Sequence, residues 1–302
     1  MPNDKICSKN GMEHEMMNCV FLASTLLFHY INVPVTNMRE LPKDTSEIVS
    51  QAYFSEQVNV IEENLDWTKV ETTIDHYQGW VKSNQLCHEQ NNFYENSCAT
   101  AKVNRCMAHL YHVPDTIYGP ILTIPFESVL KVIDLGNDNN SRWVKVLMFD
   151  EREAFIQRGD IILNQAVISR DQIVPFSLQF LGLPYTWGGR SSFGYDCSGF
   201  VQMLYRQMGV YLPRDAKDQV KWEGLAPIEI NDMLPSDLIF FGLSEDKIRH
   251  VGMYIGSGQF IHATVAENAP YIHISSLSDP EWNGSGKWIY RTARTLRKKN
   301  NA

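Results

Sequence analysis

Apolar residues in the first half of the chain alternate with polar ones in short runs bounded by turn-forming residues. VNVIEENLDWTKV at 58–70 and LKVIDLGNDNNSRWVKV at 130–146 share this pattern, each with Val-Ile, an acidic residue, a polar turn and Trp-x-Lys-Val. Alternation with a period of two predicts short strands, and weakly repeated short strands favour small β-barrels. We therefore predict one barrel over residues 35–95 and a second over residues 96–165.

After residue 171 the spacing of the apolar residues becomes helical. They recur on one face from Phe200 to Met208, and Gly209 suits the left-handed residue that follows a helix. Farther on, SDLIFFGL predicts a buried strand, and HVGMYIGSGQFIHAT predicts two strands joined at 256–258. A helix followed by antiparallel strands predicts an α+β domain over residues 171–302.

The N-terminal segment, residues 1–34, contains an apolar stretch, CVFLASTLLF, of the length found in export signals. The residues before it carry three acidic side chains against two lysines, so the usual positive start of such a signal is missing. We therefore expect a buried helix or strand here, and a signal sequence is the alternative. No other stretch approaches the length of a membrane span, so we expect none.

The composition limits the partners and the compartment. The 302 residues carry a formal net charge of −8, and phosphate binding needs a basic field, so we expect no nucleic-acid partner. The six cysteines form no evenly spaced framework, which favours a reducing compartment, the cytoplasm, with the cell envelope as the alternative. The Cys and His residues between 87 and 112 lack a C-x-x-C pair, and we expect no metal there.

Cys197 stands at the start of the predicted helix, in the sequence YDCSGF. The amides and the dipole at a helix N-terminus stabilise a thiolate, so we expect a lowered thiol pKa and a nucleophilic sulfur. Ser198 and Gly199 are small and would let a substrate backbone approach. A buried structural cysteine is the alternative.

A cysteine nucleophile needs a base, and two histidines lie on the predicted strand pair. Directly opposed residues of an antiparallel pair share a face. A three-residue turn at 256–258 would place His250 opposite Thr264, on the same face as His262, whereas a two-residue turn would separate the histidines. We therefore predict an odd loop or a bulge, with His262 orienting His250 as the third member of a triad.

Four spaced motifs carry a resemblance to a known family. They are Pro-Tyr-x-Trp-Gly-Gly at 184–189, Asp-Cys-Ser-Gly at 196–199, Leu-Pro-Arg at 212–214 and His-Val-Gly at 250–252. Over residues 175–295 the chain resembles the NlpC-type cysteine peptidases of bacterial cell-wall turnover. The resemblance implies an α+β fold in which a papain-like NlpC catalytic domain is preceded by two small SH3-like β-barrels.

The two predicted barrels extend the resemblance to one subgroup. The sequence NVPVTNMRELPKDTSEIVSQA resembles the start of the first SH3-like domain in γ-D-glutamyl-L-diamino acid endopeptidases, in which that domain closes the substrate groove. The resemblance implies that Cys197 is the nucleophile, His250 the base and His262 its orienting partner. It also implies that the Tyr185 hydroxyl and the Cys197 backbone amide stabilise the oxyanion. No metal or organic cofactor is implied.

The resemblance also implies residues that bind the substrate, a peptidoglycan-derived peptide with a free N-terminal L-Ala. Asp215 would pair with the free ammonium, and capping of the next helix is its alternative role. Ser198 would contact the γ-D-Glu residue. Glu56 and Tyr94 would be contacts of the first barrel with the same amine.

Two positions depart from the family pattern. Ser236 stands where glycine is usual, so we expect a slightly altered turn there, because serine tolerates positive φ less well. Ala216 stands where the subgroup often has serine, so we expect one substrate hydrogen bond to be missing.

The predicted function is hydrolysis of the bond between γ-D-Glu and a diamino acid, diaminopimelate or lysine, in cell-wall peptide recycling. One alternative is a secreted endopeptidase that acts on intact peptidoglycan. A second is a non-catalytic protein that binds wall peptides. The intact set of Cys197, His250, His262 and Tyr185 argues against the second alternative.

Overall fold

The computed structural model describes residues 27–136, 141–285 and 288–297. Most of the apolar N-terminal stretch lies outside these ranges, and so does the question of a signal sequence. Within them, no helix combines the length and the apolar character that crossing a membrane requires.

Alternating apolar residues build a first antiparallel sheet, as the sequence predicts. Its strands in the described part of the chain are β1 (Phe28–Ile31), β2 (Val35–Arg39), β3 (Ile48–Tyr53), β4 (Gln57–Asn64), β5 (Trp67–Thr72), β6 (Gln78–Lys82) and β7 (Leu86–Glu89). They are arranged in the order β3-β2-β6-β5-β4-β1-β7. Met38, Val58, Val70 and Val81 are inward-facing members of its small core.

The strand β1 corrects the predicted start of this unit. It pairs with both β4 and β7, and its Ile31 is completely buried in the core of the sheet. The first sheet therefore begins at Phe28 and not at residue 35, because the end of the predicted N-terminal segment supplies one of its strands.

A second β-rich unit follows. Its strands are β8 (Ala99–Val103), β9 (Met107–Leu110), β10 (Leu122–Pro125), β11 (Val129–Asp134), β12 (Trp143–Leu147), β13 (Glu153–Gln157) and β14 (Ile161–Leu163). Five of them, as far as the structure describes the chain, form a sheet in the order β13-β12-β11-β8-β14, and the β9–β10 pair joins it through the Tyr111–Phe155 bridge. Tyr30 of the first unit stacks on Phe149 at 5.3 Å between ring centroids, so the two units share apolar contacts.

The remaining chain forms the predicted α+β domain. Its elements are α1 (Ile173–Ser177), β15 (Arg190–Ser191), β16 (Gly194–Tyr195), α2 (Cys197–Gln207), α3 (Ala216–Gln219), β17 (Leu225–Ile228), β18 (Leu238–Gly242), β19 (Ile248–Gly256), β20 (Gln259–Thr264), β21 (Tyr271–Ser276) and β22 (Tyr290–Leu296). The large sheet has the order β17-β22-β18-β19-β20-β21. The helix α2 is buried along its whole length, and Gly209 follows it with φ 73°, as predicted.

The turn before β18 retains a positive φ although it carries serine. Ser236 has φ 81°, and its hydroxyl accepts a hydrogen bond from Arg170 Nε. The side chain thus gains a partner in a backbone conformation that glycine would adopt with less strain.

Arginines of the α+β domain attach it to both β-rich units. Arg190 is fully buried and donates from Nη1 to both carboxylate oxygens of Glu56 at 2.7 Å. Arg206 pairs with the buried Glu127 of the second unit. The Arg190–Glu56 pair holds the first sheet close to the start of α2, where the candidate site lies.

Candidate active site

The start of α2 is built by Asp196. Its backbone is extended, and its carboxylate accepts a hydrogen bond from the Gly199 amide at 2.7 Å, so it is the helix N-cap and Cys197 is the first helical residue. Arg214 donates to both oxygens of this carboxylate, at 3.0 and 2.6 Å. The sequence therefore fixes the backbone around Cys197 through a cap that is itself paired with a buried cation.

Gly199 is small for a reason other than the one predicted. A Cβ at this position would lie 2.3 Å from the Gly189 carbonyl oxygen. The Asp196 amide donates to the same carbonyl at 3.0 Å. The missing side chain therefore admits the Trp-Gly-Gly loop against the helix start, not a substrate backbone.

The hairpin of β19 and β20 contains the predicted bulge. Its two-residue turn, Ser257 and Gly258, has φ values of 52° and 71°. Gly256 opposes Gln259, yet Tyr254 opposes Phe260, so Ile255 is an extra residue. The bulge restores the register that puts both histidines on one face, and the prediction is confirmed.

The two histidines are in contact. His250 Nε2 lies 2.7 Å from His262 Nδ1, and His262 Nε2 lies 3.0 Å from Ser275 Oγ. A Cβ on Gly252 would meet the Phe260 ring at 2.6 Å and His262 Cβ at 3.2 Å. The glycine of the His-Val-Gly motif therefore leaves room for the packing that brings the rings together.

Burial keeps His262 neutral. It is 0% exposed, and burial, followed by the neighbouring His250 and His273, holds its pKa well below its usual value. A neutral His262 with its proton on Nε2 can donate to Ser275 and accept at Nδ1 from a protonated His250. This arrangement can orient His250 and stabilise its charged form, which is the predicted role of His262.

The resting thiol of Cys197 is not the predicted low-pKa group. Burial raises its pKa to about 12, and Asp196 adds to the rise, whereas a hydrogen bond from the Val251 backbone and the charge of Arg214 lower it. Here the loss of water outweighs the helix N-terminus. The sulfur therefore becomes nucleophilic only when its proton moves to a base. The candidate base, His250, directly precedes Val251 in β19, so the residue whose backbone contacts the sulfur is next to the base.

Cys197 and His250 both line a cleft of about 610 Å³. Tyr185 lines it too, and its pKa is raised by burial and then by its closeness to Cys197 and Asp196. Its hydroxyl therefore stays protonated and able to donate a hydrogen bond. The structure thus brings Cys197, His250 and Tyr185 to one cleft, with His262 behind His250.

The same cleft contains two of the predicted substrate-binding residues. Asp215 occupies the N-cap position of α3, but its side chain makes no capping hydrogen bond, so the alternative role as a helix cap is not observed. Its carboxylate lies 3.4 Å from Lys217 Nζ. Ser198 lines the cleft as well, although its hydroxyl accepts a hydrogen bond from Arg214 at 2.9 Å.

Glu56 and Tyr94, predicted as substrate contacts, do not line this cleft, and the structure does not bring them together with Asp215 and Ser198. Glu56 is held in the buried ion pair with Arg190. Tyr94 packs against Tyr30 and Phe93, and its hydroxyl donates to the Val129 carbonyl at 3.3 Å. Both side chains lie at contacts between units.

The first sheet contributes other residues, which the sequence analysis missed. Glu40, Glu47 and Tyr77 line the cleft. The Glu40 amide donates to the Glu47 carbonyl at 3.1 Å, so the two acidic residues are neighbours, and burial followed by the charge of Asp215 raises the pKa of Tyr77 to about 12. The available signal was the pair of acidic residues at the two ends of ELPKDTSE, residues 40–47.

The other cysteines of the described chain lie away from the cleft. Cys87, Cys98 and Cys106 are free thiols. Among the residues that the structure describes, no three His, Cys, Asp or Glu side chains are placed so that they could hold a metal ion.

Comparison with known proteins identifies the units. Residues 182–288 match the NlpC/P60 family, and residues 38–86 match the bacterial dipeptidyl-peptidase SH3 domain. A γ-D-glutamyl-L-lysine dipeptidyl-peptidase of Bacillus subtilis (strain 168) is 33% identical over 232 residues, which are 72% of this chain and 72% of the relative. Dipeptidyl-peptidase 6 of Lysinibacillus sphaericus is 26% identical over 81% of this chain and 90% of its own length.

A solved structure has the same fold. The crystal structure of an NlpC/P60 family protein from Bacillus cereus superimposes with a TM-score of 0.75 at 23% identity, over 89% of this chain and 99% of the other. The predicted fold class, a papain-like domain preceded by SH3-like β-rich units, is confirmed. The 33% identity with the Bacillus subtilis relative over 72% of this chain, together with the match of residues 182–288, shows that the chain belongs to the NlpC/P60 family of cysteine peptidases.

Proposed function

We propose that this peptidase hydrolyses the bond between γ-D-Glu and a diamino acid in peptidoglycan stem peptides whose N-terminal L-Ala is free. The observation that carries the proposal is the acidic wall of the cleft, where Glu40 and Glu47 of the first sheet line the same space as Asp215 and Cys197. The name of the Bacillus subtilis relative, a γ-D-glutamyl-L-lysine dipeptidyl-peptidase, is consistent with this substrate class. The name of the Lysinibacillus sphaericus relative, dipeptidyl-peptidase 6, is consistent with release of a dipeptide.

The acidic wall suits an ammonium group. Carboxylates in a partly enclosed cleft attract a free amine and leave an acylated N-terminus without a partner. Asp215 accepts from the L-Ala ammonium, and Tyr77, whose raised pKa keeps its hydroxyl protonated, lies beside Asp215. Because the first sheet forms this wall, a peptide that continued beyond L-Ala would meet it.

The catalytic steps follow from the side chains around Cys197. His250 takes the thiol proton as the sulfur attacks the γ-carbonyl carbon. The two events occur together because the raised pKa of the thiol keeps the sulfur protonated until then. The charged His250 donates to His262, and Tyr185 donates to the oxyanion. His250 then gives its proton to the departing amine, and water, deprotonated by His250, hydrolyses the thioester and restores the thiol.

A direct experiment offers L-Ala-γ-D-Glu-L-Lys and identifies the products by mass spectrometry. Release of L-Ala-γ-D-Glu and lysine is expected. Cys197→Ala should abolish it, and Cys98→Ala, which changes an exposed cysteine away from the cleft, should leave it intact. Full activity of Cys197→Ala would refute the mechanism.

We also propose that the protein acts in the cytoplasm and recycles peptides released from the wall. The acidic wall that Glu40, Glu47 and Asp215 form suits the free N-terminus of a short released peptide better than a crosslinked strand. N-terminal sequencing of protein from native cells tests the compartment, because a mature N-terminus shortly before Phe28, where β1 begins, would indicate a removed export signal. Release of peptides from purified insoluble peptidoglycan would favour the secreted endopeptidase instead.

A further inference from the structure

The cleft contains a basic residue to which no role has been assigned. Arg249 precedes the base His250 in β19, is exposed and lines the cleft. The other basic residue of the lining, apart from His250, is Lys217, which is paired with Asp215. Arg249 makes no side-chain hydrogen bond or ion pair with any residue in the described ranges.

A second bulge marks the position of Arg249. Phe241 of β18 opposes His250, and Gly242 opposes Ile248, so Arg249 is the extra residue of the pairing. Bulges beside active sites redirect side chains. The irregularity places a guanidinium immediately before the residue that must deliver a proton to the leaving group.

The proposed reaction determines which part of the substrate lies near His250. His250 protonates the leaving nitrogen, so the diamino acid departs from the side of the cleft where β19 runs. That residue carries an α-carboxylate, and diaminopimelate carries a second carboxylate at the end of its side chain. A guanidinium binds a carboxylate through two parallel hydrogen bonds, and none of the acidic side chains at the cleft is paired with Arg249.

We propose that Arg249 binds a carboxylate of the leaving diamino acid and so determines specificity on that side of the scissile bond. This inference rests on the proposed function. The cleft would then hold the substrate at both ends, with Asp215 at the ammonium and Arg249 at a carboxylate beyond the bond that is cleaved.

The test measures kcat/KM for four peptides that begin with L-Ala-γ-D-Glu. The third residue is L-Lys, L-Lys amide, meso-diaminopimelate, or meso-diaminopimelate with its α-carboxylate amidated. Arg249→Gln should lower kcat/KM about 10- to 100-fold wherever the recognised carboxylate is present, and less than about twofold for L-Lys amide, which has none. The amidated diaminopimelate peptide distinguishes the side-chain carboxylate from the α-carboxylate.

Two further variants complete the test. Arg249→Lys retains the charge but not the two-pronged geometry, so an intermediate loss is expected. Arg152→Gln removes an exposed arginine of the second unit, away from the cleft, and should change none of the four rates. Equal losses on all four peptides in Arg249→Gln, or no loss on any, would overturn the inference alone. Failure of the wild-type protein to cleave any of them would overturn the proposed function and this inference with it.

Discussion

Two buried ion pairs attach the two β-rich units to the peptidase domain, and they differ in the balance of charge. At the first unit, Arg190 is paired with two carboxylates: its Nη1 lies 2.7 Å from Glu56 Oε1, and its Nε lies 3.4 Å from Asp75 Oδ2. At the second, one carboxylate, Glu127, is in contact with two cations, Arg206 and Lys102.

The pKa values of the two glutamates reflect this difference. Burial raises the pKa of Glu56, Arg190 offsets only part of that rise, and Asp75 adds to it. Burial also raises the pKa of Glu127, but Arg206 and Lys102 outweigh it and bring the pKa to about 2. The two interfaces therefore differ in what the glutamate charge contributes to stability. The charge of Glu127 stabilises the fold, whereas burial disfavours the charge of Glu56.

The largest expected effect is at the second unit. Glu127→Ala would leave Arg206 buried without its partner, so we expect the free energy of unfolding to fall by about 3–5 kcal/mol. Urea denaturation measures the loss. Glu153→Ala, which breaks an exposed pair with Lys145 in the same unit, is the control and should cost less than about 1 kcal/mol. If Glu127→Ala and Glu153→Ala lowered the free energy of unfolding equally, the buried pair with Arg206 would contribute no more than an exposed pair, contrary to expectation.

Lowering the pH should show the stabilising contribution of Glu127 in the unmutated protein. The pKa of Glu127 is lower in the folded chain than its ordinary value of 4.5, so its contribution is complete above about pH 4.5 and is lost as the pH falls towards about 2. The shift corresponds to about 3 kcal/mol. The free energy of unfolding should therefore fall over this range in the wild type and more shallowly in Glu127→Gln. Parallel curves would contradict the account.

The smallest effect is expected at the first unit. Glu56→Gln removes a charge that burial disfavours, and Asp75 remains beside Arg190, so we expect a change in unfolding free energy below about 1 kcal/mol. Glu56 does not line the cleft, so kcat/KM should change less than about twofold. A loss of free-amine selectivity in this variant would restore Glu56 as a substrate contact and contradict its placement in the structure.

Local patterns were sufficient for much of the fold. Alternation in the first 165 residues predicted strands, and helical spacing from Phe200 to Met208 predicted α2. The need for both histidines on one face predicted an odd loop or a bulge, and the bulge lies at Ile255. The start of the first sheet was misplaced because β1 pairs with the distant β4 and β7, and no local pattern shows such a pairing.

The site was predictable where motifs carry it and not where two units meet. Cys197, His250 and Tyr185 lie within motifs and are brought to one cleft. Glu40, Glu47 and Tyr77 reach the cleft only because the first sheet docks there, which sequence spacing does not encode. The high pKa of Cys197 was missed for a related reason, since a helix N-terminus is visible in sequence and desolvation is not.

The proposed selectivity is a preference for a free N-terminal amine, which the acidic wall of the cleft confers on cleavage by Cys197. It is tested most directly by kcat/KM for L-Ala-γ-D-Glu-L-Lys and its N-acetyl form, with wild-type protein and with Asp215→Asn. We expect the wild type to prefer the free amine by about 100-fold or more, and Asp215→Asn to lose most of that preference. Equal cleavage of both peptides by the wild type would contradict the account.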